Sequence, residues 1–101
     1  TAVQYDAPLV VIVVDNSQYG TIRMHQERDY PGRVVGTQLK NPDFAMYAKA
    51  FGGHGERVER TDEFAPAFER ALASGKPSIV HCIIDPRAIS VGKDFTPAAK
   101  A

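Results

Sequence analysis

The sequence predicts an α/β fold: part of a doubly wound, mainly parallel sheet with helices on its faces. Two buried-strand patterns and the helical segments between them carry this expectation. The first is Leu9-Val10-Val11-Ile12-Val13-Val14, six consecutive apolar residues, mostly β-branched, with no polar position to mark a wet face. Such a run fits a strand covered on both faces, as at the centre of a parallel sheet. The second is Ser78 to Ile84, SIVHCII, which like the first ends in a carboxylate, here Asp85. Two good strands and one poor one would leave open edges that invite association, so the chain is expected to be half of a larger domain.

At 101 residues the chain fits one domain, able to bury roughly 60–65% of the surface its unfolded form exposes. Basic and acidic residues balance at 12 each, so no long-range field favours nucleic acid or an anionic membrane. The longest apolar run is far short of the ~20 residues a membrane span needs, and no basic-then-apolar leader opens the chain. A soluble, cytoplasmic protein is expected. The single cysteine, Cys82, has no internal partner and agrees with a reducing compartment.

In chain order, Thr1 to Asp6 reads as the last turn of a helix. The strand of Leu9 to Val14 then stops at Asp15-Asn16-Ser17-Gln18, followed by Tyr19-Gly20 and a short helix-compatible segment, Thr21 to Glu27. Gln26 to Lys40 lacks periodicity and contains Pro31-Gly32 and Gly36, the marks of a long loop. Asn41-Pro42 predicts an N-cap with proline at the first helical position, before Phe44, Tyr47 or Ala48, and Phe51 at helical spacing. Gly52-Gly53 ends that helix, and a weak strand centres on Val58. Thr61 or Asp62 caps a further helix with an apolar stripe of Phe64, Phe68, Ala71 and Leu72. Ser74-Gly75 stops it before the strand of Ser78. From Arg87 onward the apolar residues have no period. Residues 1–89 are thus read as domain and 90–101 as a tail.

Chemistry is expected between Asp15 and His25, because ligands of open α/β sheets sit beyond the carboxyl ends of strands and a following helix N-terminus offers unpaired N–H groups. Asp15, Asn16 and Gln18 are hard oxygen donors of the kind Mg²⁺ takes, though too few to fill an octahedral shell. On composition alone an Asp-Asn turn after a strand is more often turn chemistry. His25 is a candidate acid or base, or simply an exposed helix histidine. His54 reads as a loop residue and Cys82 as a packed, inert thiol. Glu27-Arg28-Asp29 and Glu69-Arg70 read as solvated charges, and Phe44, Phe51, Phe64 and Phe68 as core. Gly52-Gly53-His54-Gly55 follows a helix and lacks the Lys-Ser/Thr of a phosphate loop, so it reads as a helix terminator.

The string VVDNSQYGTIR resembles the second half of the binding signature of thiamine-diphosphate enzymes, in which an apolar strand runs into Asn-Asn and then toward a glycine. NPDFAMYAKAFGGHGERVERTDEFAPAFERALASGKPSIVHCIID resembles the continuation in acetolactate synthase-like and benzoylformate decarboxylase-like members. Together these cover Thr1 to about Ile89. The resemblance implies the second half of the diphosphate-binding domain of an enzyme using thiamine diphosphate and Mg²⁺. It further implies decarboxylation or carboligation of a 2-keto acid, within a homodimer or homotetramer and with the remainder of its own chain. It makes the Asn16 side-chain oxygen and the Gln18 backbone carbonyl metal ligands, and lays Tyr19, Gly20 and Thr21 along the diphosphate. Asp15 stands where the family usually has its first Asn. The family's Gly-Asp-Gly triplet is not among these residues, nor is the Glu-bearing pyrimidine domain. Acetolactate synthases tend to have Met-Val after the glycine, whereas this chain has Thr21-Ile22 and then His25. The Tyr19-Gly20-x-x-Arg23 pattern is similar to that of benzoylformate decarboxylase. Two other classes fit the residues: a noncatalytic α/β interaction or regulatory module on a partner subunit, and a small nucleotide-binding domain using Asp15 to Gly20 for phosphate.

Overall fold

The computed structural model describes residues 1–90 and 93–94. The chain divides into two compact units, Thr1–Asp15 with Asn41–Ile83, and Asn16–Lys40 with Ile84–Ala101.

The first unit is built on a three-stranded parallel sheet. Strands β1 (Val10–Asp15) and β2 (His54–Val58) both pair with β3 (Ser78–Ile83), in the order β1-β3-β2. Alternation along β3 sorts its side chains onto two faces. Val80 packs with Val58, Ala67 and Ala71 under α3 (Thr61–Ser74). His81, one residue on, meets α2 (Phe44–Ala50) on the opposite face, where the Phe44 ring stands edge-on to the imidazole at 5.0 Å. A helix on each face of a parallel sheet is the doubly wound arrangement the sequence predicts.

The central strand is β3, not the N-terminal apolar run. β1 lies at the edge, with Val11, Ile12 and Val14 41%, 45% and 64% exposed, and nothing pairs with its far side among the described residues. An unbroken apolar run reports how a strand is suited to be covered; it does not say which edges are filled. The core is also built from smaller side chains than the aromatic stripe suggested. Ala67 and Ala71 are each 1% exposed, while Leu72 and Phe51 are both 57% exposed. Close approach of a helix to a sheet selects alanine at the contact, and Phe51 falls beyond the last turn, edge-on to Tyr47 at 5.2 Å.

Caps explain the helix bounds. α2 starts from Asp43, whose carboxylate accepts from the Met46 N–H at 3.0 Å, so Asn41 is not the N-cap and Pro42 lies outside the helix. The bond from Met46 holds the Asp43 carboxyl below its ordinary range. Gly52, at φ +87°, ends α2 while the Gly53 N–H reaches back to the Ala48 carbonyl at 2.9 Å. Neither Thr61 nor Asp62 caps α3. Glu63 does that work from inside the first turn, accepting from the N–H groups of Glu59 and Arg60 at 3.0 and 3.1 Å. Residues 1–7 form a helical turn closed by Asp6 at φ +53°, with bonds from Asp6 to Val3 and from Ala7 to Ala2.

Charge fastens the outer strand. Arg70 of α3 grips Glu56 of β2 with two bonds of 2.9 and 3.0 Å, and His54 approaches the same carboxylate at 2.8 Å. Arg70 chiefly, and His54 after it, lower the Glu56 carboxyl to about 2. A depressed carboxyl adds stability above its unfolded value of 4.5 that is lost as pH falls from there toward about 2. Because Arg70 is largely exposed, water screens the pair and the expected contribution is about 1 kcal/mol. Urea midpoints at pH 7 and pH 3 should therefore differ less in Arg70→Met than in the unsubstituted chain; an unchanged difference would refute the assignment.

The second unit corrects the long-loop expectation. α1 (Gly20–Asp29) runs four residues into the stretch read as loop, and the chain then returns so that Thr37 and Leu39 bond to Tyr19 and Ser17. Glu27, expected in solvent, is 8% exposed and lies 3.8 Å from Arg23 one turn earlier. In the stretch expected to be an aperiodic tail, β4 (Ala88–Ser90) pairs antiparallel with β5 (Lys93–Asp94). Residues 91–92 and 95–101 of that tail lie outside the described residues. Among the described residues no helix is long and apolar enough to cross a membrane.

Candidate functional site

At the end of β1, Asp15 is 6% exposed and its two oxygens are both engaged. Asn41 Nδ2 donates to Oδ1 at 2.8 Å, and His81 Nε2 lies 2.7 Å from Oδ2. His81 is 2% exposed, and its Nδ1 takes the Phe44 N–H at 3.2 Å. A backbone N–H can only donate, so Nδ1 must be the acceptor and Nε2 must carry the proton that points at Asp15. The pair is therefore a neutral imidazole on a carboxylate. Asp15 works inside the fold, and its carboxylate faces His81 and Asn41. Sequence reasoning missed both partners. The signal was a lone histidine in the otherwise apolar SIVHCII strand, which demands a buried acceptor for one ring nitrogen and a donor for the other.

The turn after it holds the oxygen donors. Ser17 is at φ +58°, the left-handed region a non-glycine residue seldom adopts. Strain of that kind persists where the surroundings impose it, commonly at ligand sites. The Asn16 Oδ1 lies 3.3 Å from the Gln18 N–H. The Asn16 amide also lies over Gly20, where a Cβ would come within 2.8 Å of Nδ2. Gly20 thus gives the space in which the amide sits. Gln18 faces Gln38 in an antiparallel bridge whose bonds are made by the flanking residues, Tyr19 to Thr37 and Leu39 to Ser17, each at 2.8 Å. In such a pair the N–H and C=O of the central residue point the other way, which puts the Gln18 carbonyl on the side of the Asn16 amide.

Gly20 and Thr21 open α1, and Tyr19, 52% exposed, stands at its N-cap. No side chain caps the helix and no acidic residue lies in its first turn. Its leading N–H groups are those a helix offers to an anion. The structure thus brings Asn16, Gln18, Tyr19, Gly20 and Thr21 together on one turn. His25 lies further along α1, exposed, with Nδ1 2.9 Å from Arg28 Nη2. Since a guanidinium only donates, Nδ1 is an acceptor there and the ring is oriented by Arg28. Cys82 is partly buried, and that burial pushes its thiol up, away from the thiolate a nucleophile needs. Among the described residues no group of three or more His, Cys, Asp or Glu side chains is placed to hold a metal. Any divalent cation at the turn would therefore rest on amide and carbonyl oxygens, which suits Mg²⁺ chemistry but leaves its shell to be completed by other groups. The first unit separately carries an open apolar depression lined by Val3, Leu9, Val11, Phe51 and Ile79, among others. None of its lining residues belongs to the Asn16 turn.

Three comparisons bear on this turn. Residues 1–82 match the family model described as thiamine pyrophosphate enzyme, C-terminal TPP binding domain. The acetolactate synthase isozyme 2 large subunit of Escherichia coli (strain K12) is 38% identical over 79 residues, 77% of this chain and 14% of that protein. A sulfoacetaldehyde acetyltransferase of Alcaligenes xylosoxydans xylosoxydans is 31% identical over 85 residues, 84% of this chain and 14% of that one. The crystal structure of benzoylformate decarboxylase from Polynucleobacter necessarius superposes with a TM-score of 0.71 at 26% identity, covering 88% of this chain and 17% of that one. The chain thus spans about one-seventh of the length of these two curated relatives.

Proposed function

The chain belongs to the thiamine pyrophosphate enzyme family, as a C-terminal TPP-binding domain, and from that premise we propose that Asn16 to Thr21 forms part of a Mg²⁺-diphosphate site in an enzyme acting on 2-keto acids. The observation that carries this reading is the Asn16 amide, held over Gly20 with its Oδ1 at the Gln18 N–H, beside the uncapped start of α1. The Asn16 Oδ1 and the Gln18 backbone oxygen are the metal ligands. The N–H groups opening α1, at Gly20 and Thr21, receive diphosphate oxygens, with Tyr19 alongside. Bound there, thiamine diphosphate supplies the bond-breaking and bond-making of 2-keto acid decarboxylation or carboligation. The chain's own contribution is to hold and orient the diphosphate end.

A bare edge on β1 and partly uncovered apolar residues on both its faces support a larger sheet completed by further polypeptide. On this reading residues 1–89 are the end portion of the domain and 90–101 its tail. The complete enzyme is cytoplasmic and a homodimer or homotetramer. The chain alone is inactive, because two ligands do not fill the metal's shell. His25 is a weaker candidate for acid-base work, since Arg28 already occupies one ring nitrogen.

The test is Asn16→Ala in the full-length polypeptide. Affinity for thiamine diphosphate in the presence of Mg²⁺, measured by calorimetry, should fall by roughly 100-fold or more, the upper range for disturbing a metal's surroundings. The melting temperature of the cofactor-free protein should stay within about 3 °C, as for a side chain outside the packing. Retained affinity would return the noncatalytic interaction module to first place, and a collapse in melting temperature would make Asn16 a folding residue.

A further inference from the structure

The Gln18 side chain is committed at both ends. Its Nε2 donates to the Pro86 carbonyl, its Oε1 accepts from Arg23 Nη1 at 2.7 Å, and the residue is 7% exposed. Both anchors are themselves held. Arg23 lies 3.8 Å from the buried Glu27 one turn along α1. Pro86 sits inside a turn closed by the Ala88 N–H on the Asp85 carbonyl at 3.0 Å and by the Arg87 N–H on Asp85 Oδ1 at 2.9 Å. On its main-chain side, the neighbouring bonds from Tyr19 to Thr37 and from Leu39 to Ser17 flank the same residue.

A peptide group pinned from its side chain and from both neighbours has no freedom to turn its carbonyl. We propose that the Gln18 side chain is a positioning group: by bridging Arg23 and Pro86 it fixes the Gln18 backbone oxygen toward a divalent cation and so sets the affinity of the site. This rests on the reading of Asn16 and the Gln18 carbonyl as metal ligands. A main-chain ligand cannot be deleted by substitution, so its direction is tunable only through such supports, which act on a metal by orienting what touches it. Glutamine suits the place because one end donates and the other accepts. A glutamate would keep the bond from Arg23 but set a carboxylate oxygen against the Pro86 carbonyl, and a leucine would make neither bond.

The experiment titrates Mn²⁺ into the full-length polypeptide with thiamine diphosphate present, following the free and bound ion by electron paramagnetic resonance. Gln18→Leu and Gln18→Glu should each weaken Mn²⁺ by about tenfold and alter the line shape of the bound signal, with the cofactor-free melting temperature within about 3 °C. Arg23→Met, which removes one anchor, should give a smaller loss in the same direction. Mn²⁺ affinity within about twofold of the unsubstituted protein in Gln18→Leu, alongside its loss in Asn16→Ala, would overturn the bridge and leave the site. An affinity unchanged in Asn16→Ala would overturn the site and the bridge with it. A Gln18→Leu protein that loses affinity only together with its melting temperature would make Gln18 a residue of folding and overturn the positioning role.

Discussion

Replacing His81 with leucine is expected to destabilise the first unit by about 3 kcal/mol or more, because it strands the Asp15 carboxylate in a buried site without its imidazole partner. The same change removes the acceptor of the Phe44 N–H at the start of α2. Asp15→Asn should be far milder, at about 1 kcal/mol. Its single carbonyl oxygen can still accept from His81, and the Asn41 amide can turn to offer oxygen to the new NH₂ group. The bond pattern thus survives and no charge is left behind. Urea midpoints of the three proteins by circular dichroism decide it. If His81→Leu proved as benign as Asp15→Asn, the tautomer deduced from Phe44 would be wrong and the pair would not anchor the end of β1.

Gly55→Ala should be comparably severe, for a different reason. A Cβ at this position of β2 would sit 2.0 Å from the Ala45 carbonyl oxygen and 2.7 Å from its carbon. Those atoms are helix backbone and cannot swing aside, so α2 must lift from the sheet. The cost is about 3 kcal/mol, at the upper end of ordinary overpacking. Gly32→Ala is the control, because it has open space around it and only a φ of +81° to answer for, worth about 1 kcal/mol. Hydrogen exchange should show the amides of α2 losing protection in Gly55→Ala alone. Equal effects in the two variants would mean that crowding against Ala45 is not what makes glycine necessary at Gly55.

These two sites mark how far the residues could be read without coordinates. The parallel α/β class was legible in VVIVVD and SIVHCI, because long β-branched runs ending in a carboxylate have few other homes. Gly52 and Gly75 were legible as helix stops, since φ of +87° and +65° there requires what glycine allows. The oxygen-rich segment was legible as a turn between a strand and a helix, and the structure places its residues at the start of α1. What could not be read was set by distance along the chain. Asn41 looks like an N-cap in local sequence, yet its amide is used by Asp15, 26 positions away. His81 is 66 positions from the same carboxylate. Glu27 looks solvated in its run of charges, and only the fold shows it buried beside Arg23. Local patterns record what a residue is suited to do, and long-range pairing decides which of those uses is taken up.

The strand order β1-β3-β2 sets a timetable for making this protein. Val10 and His54 find their partner in the same residue, Ser78, so both outer strands leave the ribosome before the β3 edge they share. Until Ser78 to Ile83 has been synthesised, neither has a bonded neighbour from this sheet. The last-made strand of this sheet is its keystone: only when it emerges are Val10–Asp15 and His54–Val58 joined to one another.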